Sequence, residues 1–117
     1  MARQMNDILS TADINAIHEF ESEIKARFKV KRVSLFGSVA RAEADDDSDL
    51  DLLIVLNQEV THRLRNTISD IAFEVNLKHD TNISLMIFDD ETWSSDMMTL
   101  TPFYSEVVRD GVPVYEA

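Results

Sequence analysis

The 117-residue chain contains no cysteine, two glycines and two prolines. Without cysteine there is no disulfide framework and no thiolate zinc site, and this usage suits a reducing cytosol. Long apolar runs are missing too. No stretch approaches the roughly 18–20 residues of a membrane-spanning helix. The opening MARQMNDILSTADINAIHEF carries polar side chains every few positions, with no signal-peptide apolar core. A cytoplasmic, soluble protein without a membrane partner is expected. Positive charge is scarce: 11 Lys and Arg against 22 Asp and Glu leave a formal charge of −11. Nucleic-acid affinity rests largely on phosphate neutralisation by basic side chains, so direct nucleic-acid binding is not expected. A basic protein partner or a metal-complexed small anion fits better. There is no repeat, low-complexity tract or Gly/Pro/Ser linker. One domain over 1–117 is expected, long enough to bury a core without covalent staples.

What the chain does carry is strong periodicity. Ile14, Ile17, Ile24 and Phe28 recur at helical spacing behind Thr11, which predicts an N-capped helix over 12–28. KRVSLF (31–36) reads as a strand, and Gly37 and Ser38 break it into a short helix over VARAEA. Asp45 to Ser48 read as a turn. LDLLIVL (50–56) is a strand whose near-continuous apolar character predicts burial on both faces. Val60, Leu64, Ile68, Ile71 and Val75 mark a helix over 59–78. NISLMIF (82–88) follows as a strand with Ile83, Leu85 and Ile87 on one face and Ser84 and Met86 on the other. Asp89 is a cap for DETWSSDMM. Thr101-Pro102 opens a last helix that ends at Asp110–Gly111, with glycine at the C′ position, and VPVY (112–115) is a short edge strand. The alternation implies an α/β (α+β) fold, a small mixed sheet flanked by helices.

The chemistry concentrates in LFGSVARAEADDDSDLDLLIVL (35–56). Five aspartates, Asp45, Asp46, Asp47, Asp49 and Asp51, crowd seven positions before a buried strand. Side chains at i and i+2 of a strand share a face, so Asp49 and Asp51 project together while Leu50 and Leu52 enter the opposite layer. Two unpartnered carboxylates so placed raise each other's pKa, and a divalent cation removes that penalty. Mg²⁺ commonly takes one or two protein carboxylates and completes its octahedron with water and phosphate oxygens. A calcium loop is excluded, because Leu52 and Gln58 stand where its glycine and glutamate belong. Upstream, Gly37 permits close backbone approach, the following helix offers free N–H groups, Ser38 adds a hydroxyl and Arg41 a bidentate phosphate donor.

Each piece alone is commonplace: a strand–Gly–Ser–helix turn is usually only a turn, and paired aspartates usually only a solvated strand entrance. The combination GS-x10-DxD between two apolar strands would arise about once in a thousand such chains by chance. At these residues the sequence resembles the minimal nucleotidyltransferases of the DNA polymerase β-like superfamily. Phe36-Gly37-Ser38 matches the glycine turn, Asp49-Leu50-Asp51-Leu52 the acidic strand, and GSxAR and SDxDLLI (from Ser48) look like the small stand-alone bacterial members. The resemblance implies that Gly37, Ser38, Arg41 and Ser48 bind the nucleotide. It also implies that Asp49 and Asp51 are catalytic and ligate Mg²⁺, and that an acceptor hydroxyl takes a nucleoside monophosphate from an NTP such as ATP. A third carboxylate usually comes from the next strand. Ser84 aligns there, while Asp80 lies about 13 Å away along an extended chain and Asp89 has the wrong parity. Many such proteins resemble antitoxins paired with a HEPN-type toxin, and a homo-oligomer is compatible with the same fold. The alternative is a nucleotide-binding antitoxin that neutralises by contact alone. His18, His62 and His79 lack ligand spacing and read as structural or surface residues. Trp93 and Phe103 are expected in the core or at a dimer interface, Met97 and Met98 as gap fillers or partner surface. The His62-Arg63-x-Arg65 cluster reads as a solvated helix face.

Overall fold

The structure is a computed structural model that describes residues 5–40 and 49–117, with the side chains of Asn6, Asp7 and Ser38 left out of the description. In chain order the elements are α1 (Met5–Ile8), α2 (Thr11–Arg27), β1 (Val30–Phe36), α3 (Gly37–Ala40), β2 (Leu50–Leu56), α4 (His62–His79), β3 (Ile83–Asp89), α5 (Asp90–Trp93), α6 (Asp96–Thr99), α7 (Pro102–Asp110) and β4 (Val112–Glu116). The strands form one mixed sheet in the order β3-β2-β1-β4. β1 runs antiparallel to both β2 and β4, whereas β2 and β3 are parallel, joined through α4. The mixed sheet flanked by helices is the architecture that the alternation of periods implies.

Strand parity divides the interior in two. Leu50, Leu52, Ile54 and Leu56 of β2 enter the main core with Ile17, Phe20 and Ile24 of α2 and Ile68 and Val75 of α4. Leu53 and Val55 point the other way, into a smaller cluster with Trp93, Val107, Phe36, Phe88 and Phe103. β2 is therefore buried on both faces, as its sequence predicts. The second layer is aromatic: Phe36 and Phe103 meet edge-on at 5.4 Å and Trp93 lies 4.8 Å from Tyr104. Trp93 and Phe103 thus belong to the core, and Met98 packs beside them. Met97 is exposed.

Helix starts follow side-chain capping. Ser10, not Thr11, caps α2 by accepting from the Asp13 N–H, and Thr11 becomes the first helical residue. Thr61 caps α4 in the same way, so this helix begins after Val60. Asp89 and Thr101 are the caps expected from sequence. The stretch after Asp89 is two turns, because Ser95 interrupts it and recaps α6 through the Met98 N–H. The last helix ends at Asp110 with Gly111 following, as expected, but Gly111 is the C-cap residue and its backbone is extended (φ −64°, ψ 141°). Glycine suits it for another reason, since a Cβ there would press on the Val107 carbonyl oxygen. The left-handed cap belongs instead to Asp80, which ends α4 at φ 54°.

Candidate active site

The site forms where β1 ends and β2 begins. Phe36, the last residue of β1, is paired in register with Asp51. The chain leaves the sheet at once through Gly37, whose φ of +79° is disfavoured for any residue with a Cβ. A Cβ built at Gly37 would collide with the Asp51 Oδ2 oxygen and stand 3.3 Å from its Cγ. Glycine is required twice over, by its own backbone and by the carboxylate lying against it. The glycine turn and the aspartate strand, twelve to fourteen residues apart in sequence, are in van der Waals contact.

Asp51 is half-buried and Asp49 exposed. By strand parity both share the face of Leu53 and Val55, so they open at the rim of the aromatic layer while Leu50 and Leu52 enter the main core. Burial pushes the Asp51 carboxyl above its ordinary value, and the neighbouring Asp49 charge adds to the rise. No hydrogen bond or ion pair to a described residue offsets this cost. Two crowded carboxylates with an open side suit a divalent cation that draws its other ligands from water and phosphate, which is how Mg²⁺ is commonly held. Among the described residues no group of three or more His, Cys, Asp or Glu side chains could enclose a metal. The donor set fits Mg²⁺ shared with a substrate, not a closed protein cage.

The parallel register sets Ser84 of β3 directly beside Asp51. Ser84 is exposed and on the aspartate face, so a hydroxyl stands where the resemblance leads one to expect a third carboxylate. Asp80 and Asp89 serve as the α4 and α5 caps. Of the expected phosphate-binding residues, Gly37 lies at the site, and the backbone of Ser38 continues into α3. Arg41, Ser48 and the turn Asp45–Asp47 lie outside the described residues. The histidines match their structural reading: His18 is 3.5 Å from Glu21, and His79 is 3.2 Å from Glu19. Asn76 belongs to no motif in the sequence. Its side-chain amide accepts from the Ile83 N–H at 2.8 Å and donates to the Ile83 carbonyl at 3.2 Å, so it holds the strand that carries Ser84.

A family profile described as a nucleotidyltransferase domain matches residues 17–109, which includes the glycine turn, both aspartates and Ser84. The chain belongs to the nucleotidyltransferase domain family. A relative from Methanocaldococcus jannaschii, named "Putative protein adenylyltransferase", is 37% identical over 103 residues, covering 86% of this chain and 97% of the relative. Among solved structures, a toxin–antitoxin with AMP-PNP superposes with a TM-score of 0.58 at 17% identity, covering 89% of this chain and 73% of that one. A tri-AMPylated Shewanella oneidensis HEPN toxin in complex with MNT antitoxin gives a TM-score of 0.54 at 15% identity, covering 92% and 74%. At these identities the structural matches establish the shared fold. The family profile and the adenylyltransferase relative place this nucleotidyltransferase-domain chain among enzymes.

Proposed function

We propose that the protein binds ATP with Mg²⁺ and transfers AMP to a hydroxyl of a partner protein, as the antitoxin of a HEPN/MNT pair. The observation that carries this reading is the contact between Gly37 and the Asp51 carboxylate. It brings the glycine turn, to which we assign the phosphates, and the aspartate strand, to which we assign the metal, side by side. The adenylyltransferase name of the archaeal relative supports AMP as the group moved. In the reaction, the acceptor oxygen forms a bond to the α-phosphorus as the bond to the bridging oxygen of the β-phosphate breaks. Pyrophosphate leaves and the hydroxyl proton passes to water. Mg²⁺ held by Asp49 and Asp51 would supply charge neutralisation at the phosphates and stabilise the attacking and leaving oxygens. Gly37 lets the backbone and its nucleotide approach the aspartates, and the hydrophobic wall of Phe36 and Phe103 closes the layer behind them. Ser38, Arg41 and Ser48 are assigned to the phosphates on the resemblance of their motifs.

Ser84 favours a second reading, in which the protein neutralises its partner by contact with little transfer. A hydroxyl is a poor base and a weak Mg²⁺ ligand, and it sits where a carboxylate would otherwise flank Asp51. One experiment separates the two: incubation with α-labelled ATP, Mg²⁺ and the product of the neighbouring gene, beside an Asp49→Ala/Asp51→Ala variant. Label on the partner that the variant abolishes supports transfer. Tight binding without label supports neutralisation by contact.

A further inference from the structure

The two edges of the sheet are built differently. β4 has the protections that natural edge strands use. It contains Pro113, its pairing with β1 shifts register between Val33 and Ser34, and an Arg32–Glu116 ion pair at 2.6 Å ties down its end. β3 has none of these. It pairs with β2 in unbroken register from Ile83 to Asp89, contains no proline, and has no charged residue before Asp89. Met86, in its middle, is 42% exposed.

The ladder geometry shows which backbone groups remain open. Leu50 donates to the Asn82 carbonyl, so in a parallel ladder the even-numbered residues of β3 pair with β2 and the odd-numbered ones face outward. Ile83 bears this out, since its outward N–H and C=O are both taken by the Asn76 amide, which imitates one residue of a neighbouring strand. The N–H and C=O groups of Leu85 and Ile87 have no such partner among the described residues. They border a groove of about 350 Å³ lined by Arg65, Ser69, Leu85, Met86, Ile87 and Phe88.

We propose that this edge is a docking groove in which an extended, carboxylate-bearing segment of another protein adds to β3 as a further strand and meets Arg65. The charge of the groove selects the occupant. Arg65 is exposed, forms no ion pair with a described residue, and has no acidic residue three or four positions away on α4. It is an unmatched cation on the flank of a chain whose formal charge is −11. A second copy fits worse, because two-fold pairing of β3 with itself would bring Arg65 toward its own counterpart and join two strongly acidic bodies. Backbone pairing would supply affinity and Arg65 selectivity, as in other strand-addition complexes.

The position of the groove ties it to the chemistry. Ser84 is level with Asp51, and an added strand lies about 5 Å beyond β3. Every second side chain of that strand shares the aspartate face, so the docked segment runs past the acidic pair. Its role as the acceptor rests on the transfer reading; the docking itself needs no nucleotide. The test selects a displayed library of random dodecapeptides on the full chain without ATP or Mg²⁺. The expected peptides are enriched in Asp and Glu, slow hydrogen exchange at the Leu85 and Ile87 amides, and bind Arg65→Glu at least tenfold more weakly. Leu85→Pro, which removes an outward N–H without costing a ladder bond, also abolishes binding. Four results overturn the proposal: no recovered peptide, no acidic bias, binding indifferent to Arg65→Glu, or a self-dimer in sedimentation that protects the same two amides. A negative labelling experiment would remove the acceptor role and leave the docking result standing.

Discussion

At the scale of single residues, the site is a contact between a glycine and a carboxylate, and both halves can be tested. Gly37→Ala forces a Cβ into a left-handed backbone, at about 1–2 kcal/mol, and drives it against the Asp51 Oδ2 oxygen. The expected result is a lower melting temperature together with loss of Mg²⁺-dependent nucleotide binding, read by calorimetry. Asp51→Asn should do the opposite to stability. The folded-state pKa of Asp51 is raised by burial and by Asp49, so the folded protein holds this proton more tightly than the unfolded chain does. Stability therefore falls as pH rises through the ordinary carboxylate range, and the penalty persists at neutral pH. The neutral amide removes it. We expect Asp51→Asn to melt a few degrees higher than wild type at pH 7, a gain that shrinks towards pH 3, while metal binding is lost. Much of this pairing was legible in the sequence. Strand parity aligned Asp49 with Asp51 and put Leu50 in the opposite layer, and the family resemblance singled out Ser84. The direct contact of Gly37 with Asp51 was not legible, because it depends on the antiparallel register of Phe36 with Asp51, which neither local segment specifies.

At the scale of elements, apolar spacing identified β1, β2, β3 and the long helices, and proline and hydroxyl caps identified the start of α7. Errors arose where adjacent residues offer the same chemistry. Ser10 and Thr11 can each cap a helix, and only the hydrogen bond to the Asp13 N–H decides between them. The broken helix after Asp89 reflects a second competent cap, Ser95, inside the segment. Asn76 was hidden because an Asn within an amphipathic helix carries no periodic signal. Its importance comes from the return of β3 alongside α4, where one side chain bonds the Ile83 N–H, the Ile83 carbonyl and the Thr81 hydroxyl. Asn76→Ala should cost about 2–3 kcal/mol, since it strands partly buried backbone groups, and chemical denaturation would read the loss. Asn76→Asp retains the acceptor for the Ile83 N–H and should lose less. In both variants, hydrogen exchange should quicken first at the start of β3, beside the active site.

At the scale of the whole molecule, charge dominates. Among the described residues, two sets of ion pairs shift their carboxylates: Lys78 and His79 hold the Glu19 carboxyl below its ordinary value, and Lys31 does the same for Asp90. Their stabilisation is present above the ordinary carboxylate pKa and is lost as pH falls through the depressed values. Against them stands a formal charge of −11, whose self-repulsion favours expansion. Sodium chloride should therefore raise the melting temperature at neutral pH by screening that repulsion, whereas a fold held mainly by surface ion pairs would be weakened. Magnesium should do more than salt. A ligand that binds only the folded state stabilises it by mass action, so a site of about 1 mM Kd gains about 1.4 kcal/mol at about 10 mM Mg²⁺. The decisive comparison is the melting temperature in MgCl₂ against NaCl of equal ionic strength. Wild type should show an increment beyond the matched salt, and Asp49→Ala/Asp51→Ala should respond to both salts alike. An equal increment in the variant would mean that Mg²⁺ acts on the acidic surface as a whole, and would remove Asp49 and Asp51 as its ligands.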